Sequence, residues 1–425
     1  MNLVTLRNLS FITICQLIVF YPVKEFKFQM QWDDYWVVIN EYTDRGFTLR
    51  NFELILSNYY HGQYAPINEL YYILIKTFYG YDATYFHIVG VFIHTINAIL
   101  VYVFILHFCK FILQLGFVRC ANIAFFTALV FSIHPLNLEP VAWIAASKIL
   151  LYSTFYLLAL ICYIRFLKTK GYIFYFLTLV FFIVSFGAKE QAVTFPACAL
   201  LIDYMANRNL KTPQIWKEKV PMIILSILFG LVTIQSQGIS SGDFDHYSLI
   251  ERFALSFFTF AEYIAKTIIP IRLSYIYPFP FLPGESIPFW MWLYPFGFII
   301  SITLIGKSII KKKWLLFGLS FFVIHIVLTL NIIGMSRHSI IADRYAYLSI
   351  IGIVFIFTYS FYEYVGFKKH LFHSSIAYIY ISFLAIYTYN HLAVWENSKN
   401  LKTEISDEIK RRLDYDKLIK KYEEK

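Results

Sequence analysis

Long apolar stretches alternate with short polar connections along most of the chain, and two of the polar connections are far longer than the rest. Stretches of this length and hydropathy predict about eleven membrane-spanning helices, near residues 3–21, 87–107, 123–133, 150–166, 172–186, 193–206, 220–235, 289–306, 314–333, 347–362 and 376–389. Arg7 stands at the start of the first stretch and no small-residue cleavage site follows it, so it reads as a retained helix with a cytoplasmic N-terminus. Residues 24–85 form the first long outer loop. Within it Ile67, Leu70, Tyr71, Leu74 and Ile75 recur at helical spacing after Pro66, which predicts an amphipathic helix lying in the interface.

Basic residues orient the rest, because cytoplasmic connections carry the excess of Lys and Arg. Lys110 with Arg119, the set Arg165, Lys168 and Lys170, the set Arg208, Lys211, Lys217 and Lys219, the run Lys311-Lys312-Lys313, and Lys368-Lys369 are placed inside. Residues 134–148 and 187–191 then face outside, as does the second long loop, 237–287. Residues 253–269 of that loop are apolar enough to span, but a crossing there would export the Lys311 run. Glu262 and Lys266 also sit four residues apart, so the segment reads as an interfacial or re-entrant helix. The C-terminus is expected outside. Residues 396–425 form a charged, helical tail after a transmembrane domain at 1–395.

Composition agrees with an all-α polytopic membrane protein. Hydrophobic residues make up 59% and charged residues only 15%, against about 25% charged in soluble domains, and the mean hydropathy is +0.59. The 44 Phe and 34 Tyr require aromatic packing between helices and suit walls that touch isoprenoid or acyl chains. A net charge of +10 falls in short runs between apolar stretches, which is a topology signal and excludes a nucleic-acid role. Cys15, Cys109, Cys120, Cys162 and Cys198 all lie in or beside predicted spans, without the spacing of a zinc site or a disulfide framework.

The candidate chemistry gathers on the outer side. Asp33-Asp34 is flanked by Trp32, Tyr35 and Trp36, rings that hold the acid pair at headgroup depth. On the same side fall His134, Glu139, Lys148, Lys189-Glu190, Arg337, Asp343 and Arg344. Each has a structural alternative: Lys189 and Glu190 neutralise one another, His134-Pro135 stops a helix, and Asp343 neutralises Arg344. His94 and Asn97, on the second span with His87 and His107, read mainly as interhelical hydrogen-bonding groups. Together, acids and bases around a membrane-embedded cleft suit transfer of a sugar from a lipid phosphate. A carboxylate takes the acceptor's proton, and Arg or Lys stabilises the departing phosphate. Arg344 is the first candidate for that phosphate, since a guanidinium grips two oxygens, with Lys189 and Arg337 beside it.

The runs His134-Pro-Leu-Asn-Leu-Glu139-Pro-Val-Ala-Trp143-Ile-Ala-Ala-Ser-Lys148, Ala188-Lys-Glu-Gln-Ala-Val-Thr-Phe-Pro196 and Ala342-Asp-Arg-Tyr-Ala-Tyr-Leu348 resemble the transmembrane part of the tetratricopeptide-repeat O-mannosyltransferases and their bacterial relatives. With Asp33-Asp34 in the first outer loop, residues 1–395 resemble a GT-C glycosyltransferase. The resemblance implies a polyprenyl-phosphate sugar donor, a protein, lipid or glycan acceptor on the outer or lumenal side, and one acid of Asp33-Asp34, preferably Asp33, as catalytic base. No cofactor is certain; a divalent metal bound by Asp34 is left open. The chain departs from the family at Ala145-Ala146-Ser147-Lys148-Ile149, where Gly-Arg and a later acid are usual, and at Ala65-Pro66, where Arg-Pro is common. No repeat is expected in the tail. The rival reading is a transporter or flippase of a lipid-linked saccharide, for which repeated halves would be the sign.

Overall fold

The computed structural model describes residues 3–237, 247–281, 285–332, 339–365 and 371–410. Arg337, expected near the donor phosphate, lies outside the described residues. The described chain is helical, with one isolated β-bridge between Tyr60 and Gln63 and no strand. The long helices are α1 (Leu3–Phe20), α2 (Pro66–Tyr79), α3 (Ala83–His107), α4 (Phe117–Ile133), α5 (Ser147–Thr169), α6 (Tyr172–Ala188), α7 (Phe195–Met205), α8 (Pro213–Gln237), α9 (Leu249–Ile268), α10 (Leu293–Lys311), α11 (Lys313–Ile326), α12 (Ile350–Ser360), α13 (Leu371–His391) and α14 (Ser398–Lys410).

Among the described residues, five helical segments are able by length and composition to cross a membrane: Leu3–Glu25, Ala83–Ile112, Ile144–Thr169, Pro213–Ser236 and Phe289–Lys311. A sixth follows if α4 and the helical turns Pro135–Ala142, bent by 56° at His134, count as one span. Pro135 explains the bend, because it supplies no N–H and disfavours helix in the residue before it. Helix α7, at 11 residues, is only about 16 Å long. It is too short to cross a hydrocarbon core of about 30 Å by itself.

Helix α3 is the centre of the bundle and packs on α1, α4 and α5. Polar side chains join these helices, as small hydrogen-bonding groups do where water is absent. Gln16 Nε2 donates to Thr95 Oγ1 at 3.0 Å, and Asn97 Nδ2 donates to the Leu150 carbonyl at 3.0 Å. Asn97 also donates to the Tyr347 hydroxyl, which contacts His94 Nδ1 at 2.7 Å. His94 and Asn97 therefore hold helices together, as expected. Helix α2 packs on α3, α5 and α6 and presents Leu74 and Phe78 outward, an amphipathic element of the first loop.

One local expectation is revised. Glu262 and Lys266 do not form an ion pair; the Lys266 side chain turns inward, donates to the Arg272 carbonyl at 3.2 Å and lies over the Tyr277 ring. The described part of the tail is helical and packs on the rest of the chain. Helix α14 buries Leu401 and Ile405, and the residues before it bind the first loop. The Lys27 N–H donates to the Glu396 carbonyl at 2.9 Å, and Gln29 Nε2 to the Trp395 carbonyl at 2.7 Å.

Candidate functional site

Asp33 and Asp34 are neighbours with different surroundings. Asp34 opens the short helix Asp34–Val37 and is fully buried. Its Oδ2 accepts the Gln29 N–H at 2.7 Å and its Oδ1 the Ala145 N–H at 2.9 Å. Burial pushes its carboxyl up to about 6 despite these bonds. Asp34 thus ties the first loop to the segment between α4 and α5. Asp33 is partly exposed and accepts one bond, from Trp36 Nε1 to Oδ1 at 3.2 Å. Of the pair, it is the carboxylate with free capacity at the surface of the loop.

The segment held by Asp34 begins at His134 and carries two of the expected site residues, with Lys148 following it in α5. His134 is buried, with Nε2 against the Thr267 carbonyl at 3.0 Å and Nδ1 accepting the Leu136 N–H at 3.2 Å, so it joins the bend to α9. Both ring nitrogens are committed. Glu139, on the short helix Leu138–Ala142, faces the connection that leads into α12. Its Oε2 accepts the Arg344 backbone N–H at 2.8 Å, and its Oε1 pairs with the Arg344 guanidinium. The Arg344 side chain is 20% exposed, Glu139 only 3%.

Arg344 therefore takes its counter-ion from Glu139 and not from its neighbour Asp343. Asp343 turns the other way and accepts the Tyr277 hydroxyl at 2.8 Å. Burial and the Glu139 charge push the Asp343 carboxyl up to about 8. The Arg344 guanidinium lies over the rings of Tyr345, Trp143 and Tyr275 at 4.9, 5.4 and 5.9 Å from their centroids, a desolvated cation–π arrangement.

The same rings connect Arg344 to the acid pair. Tyr275 packs against Trp143 at 5.3 Å, Trp395 at 5.6 Å and Trp32 at 5.2 Å. Trp32 immediately precedes Asp33, and the Tyr275 hydroxyl senses both the Arg344 and the Asp33 charge. The Tyr345 ring also has Lys189 near it, its Nζ 5.6 Å from the centroid and 2.9 Å from Glu190 Oε1. Burial works against the charged form of Glu190, but the Lys189 ammonium outweighs it and holds the carboxyl down to about 2. Lys148, in the first turn of α5, is within electrostatic reach of Lys189, Glu190, Tyr345 and Arg344, and its Nζ donates to Gln63 Oε1 at 2.9 Å.

The fold thus brings together Asp33, Glu139, Lys148, Lys189, Glu190, Asp343 and Arg344, and sets His134 apart toward α9. Tyr275, Tyr345, Gln63, Glu69 and Trp395 were not expected there. The Tyr and Trp residues carried no signal against an aromatic background of 20%. Among the described residues no three His, Cys, Asp or Glu side chains converge as a metal-binding group. Asp34, with both oxygens taken by backbone donors, leaves little coordinating capacity for a cation at the acid pair.

No family model matches the chain. Curated relatives do. The chain is 28% identical over 191 residues to Protein O-mannosyl-transferase F38B6.6 of Caenorhabditis elegans, which is 45% of this chain and 25% of that protein. It is 30% identical over 176 residues to Protein O-mannosyl-transferase TMTC2 of Mus musculus, 39% of this chain and 20% of the relative, and 30% identical over 178 residues to TMTC2 of Homo sapiens. The resemblance read from the motifs is borne out. The matched region spans about a fifth to a quarter of the length of these relatives.

Proposed function

We propose that the chain is a GT-C type membrane glycosyltransferase that moves a hexose, mannose by analogy with its relatives, from a polyprenyl-phosphate carrier to a hydroxyl of a protein acceptor on the outer or lumenal side. The observation that carries this reading is the division of labour in Asp33-Asp34. Asp34 is consumed in holding the loop, while Asp33 keeps capacity to accept a proton beside an aromatic array that ends on Arg344.

In this reading Asp33 takes the proton of the acceptor hydroxyl as its oxygen forms a bond to the anomeric carbon. The bond from that carbon to the phosphate oxygen breaks, and the phosphate leaves with the electron pair. Arg344, aimed by Glu139, and Lys189, aimed by Glu190, stabilise the charge that accumulates there. Tyr275, Trp143 and Tyr345 keep the cations out of bulk water, where their attraction for the phosphate would be screened.

The proposal includes about eleven crossings, with the N-terminus inside and the C-terminus on the Asp33 side. The contacts of residues 395–398 with Lys27, Gln29 and Gln31 support that last point. A reporter fused after Lys425 should read outside. The chemistry is tested by transfer from a polyprenyl-phosphate mannose to a Ser- or Thr-containing peptide in detergent. Asp33→Asn should insert and fold yet lose about two to four orders of magnitude in rate; transfer near the wild-type rate would sink the assignment.

A further inference from the structure

The cations at the site are not equally supplied with counter-ions. Arg344 has Glu139 and Lys189 has Glu190, each within hydrogen-bond distance. Among the described residues Lys148 has no carboxylate within 4 Å, and its Nζ bonds only the neutral amide of Gln63. Glu190 and Glu69 act on it only at longer range: Glu190 is already paired with Lys189, and Glu69 is buried and bonded to Asn40, its carboxyl pushed up to about 7. An ammonium held in a protein interior without a counter-ion is costly, and it persists where something else supplies the negative charge.

Lys148 also borders open space, but each cleft beside it has room for only about one or two waters, so a phosphate reaches it by displacing Gln63. It lines two adjoining polar clefts, one shared with Trp36, Asn58 and Glu69 and the other with Glu190, Thr233 and Ser236. Gln63 lines both and closes the gap between them. It belongs to a tight turn in which Tyr60 and Gln63 exchange backbone hydrogen bonds of 2.9 Å, with His61 and Gly62 at φ of 45° and 71°. The His61 ring packs 4.8 Å from Trp36, the residue that hydrogen-bonds Asp33. One turn therefore touches the uncompensated cation through Gln63 and reaches the base only through Trp36.

We infer that Lys148 is the residue that receives the phosphate of the lipid carrier, with the Gln63 amide occupying that position until the phosphate displaces it. The inference rests on the transferase reading and deepens it. Arg344 and Lys189 bring their own negative charge, so the net positive charge that a phosphate requires comes from Lys148. Its ligand class is a phosphate monoester or diester on an isoprenoid chain.

The test is binding without turnover. Full-length protein in detergent is titrated with a polyprenyl phosphate lacking sugar, alone and in competition with inorganic phosphate, and followed by the shift in melting temperature. Wild type should bind the lipid phosphate, with inorganic phosphate competing only at far higher concentration. Lys148→Met should weaken binding about tenfold or more, the loss expected for a charged hydrogen bond. Lys148→Arg should keep it within about threefold. Without ligand, Lys148→Met should melt at or above the wild-type temperature, because it removes an unpaired charge; Lys148→Gln gives the same binding comparison if the Met variant does not fold. Wild-type affinity in Lys148→Met or Lys148→Gln overturns the inference and leaves the transferase reading standing. Equal competition by inorganic phosphate overturns the lipid source. No binding of the lipid phosphate by wild type would remove the transferase reading itself.

Discussion

Glu139 and Arg344, 205 positions apart in the chain, bind each other twice, through the Arg344 backbone N–H and through its guanidinium. The contact fixes the connection into α12 against the bent segment after α4, and so sets the position of the three aromatic rings around the guanidinium. Neither residue is adjacent to a partner of opposite charge that does the same job.

The pair gives the first prediction. Glu139→Gln leaves the guanidinium without its carboxylate and should lower stability by about 3 kcal/mol, toward the lower end for a broken buried pair because Arg344 is partly exposed. Arg344→Lys keeps the charge and should destabilise less, yet weaken polyprenyl-phosphate binding about tenfold, because an ammonium lacks the planar fork. Melting curves and donor titrations on the two variants separate the effects.

Asp34→Asn should act on the fold and not on proton transfer. An amide presents one accepting oxygen where the Gln29 and Ala145 N–H groups need two, so one buried donor is left unsatisfied. A loss of about 1–3 kcal/mol is expected, measured by thermal unfolding in detergent. The rate per folded molecule should fall far less than in Asp33→Asn.

Glu69 should make stability depend on pH. Its carboxyl is raised from 4.5 to about 7 by burial, which Asn40 and Lys148 only partly offset. The folded state therefore holds the proton more tightly than the unfolded chain does. The stability this provides is fully present below about pH 4.5 and is lost as the pH rises through about 7. Melting temperature should decline between pH 5 and 8 in wild type, and Glu69→Gln should flatten that decline. An equal slope in both proteins would remove Glu69 as the source.

The crossing of α11 and α12 depends on two glycines. A Cβ on Gly318 would stand 2.6 Å from the Gly352 carbonyl oxygen, and one on Gly352 would stand 2.9 Å from the Phe322 nitrogen. Both neighbours are backbone and cannot rotate away. Gly318→Ala and Gly352→Ala should each destabilise by about 1–3 kcal/mol or more, visible as a lower melting temperature. An Ala at Gly230 of α8, where a Cβ meets nothing within 4 Å, is the control and should be neutral to slightly stabilising.

Much of this architecture is written locally. Apolar runs the length of a helix must satisfy their backbone groups internally in lipid, so the stretches near 87–107 and 150–166 specify α3 and α5 whatever surrounds them. Pro135 dictates a bend wherever the segment sits. Pro66 followed by Ile67, Leu70, Tyr71, Leu74 and Ile75 specifies α2 by spacing alone. The acid pair and the three motif runs were likewise legible, because each is a short contiguous string.

What the sequence could not assign was partnership. Asp33 and Asp34 are chemically identical, and only the packing of the first loop on Ala145 makes one a tie and the other a free carboxylate. Arg344 has an acid beside it in sequence, yet backbone direction in the turn sends Asp343 to Tyr277 and leaves Arg344 to Glu139. Nor did the charge of the tail show that α14 would bury Leu401 and Ile405. By itself the sequence determined helices, bends and the kind of chemistry, since these follow from covalent structure and local spacing. Tertiary structure decided which charge is neutralised and which is left over, because Coulomb energy and desolvation depend on distance through space and not on distance along the chain.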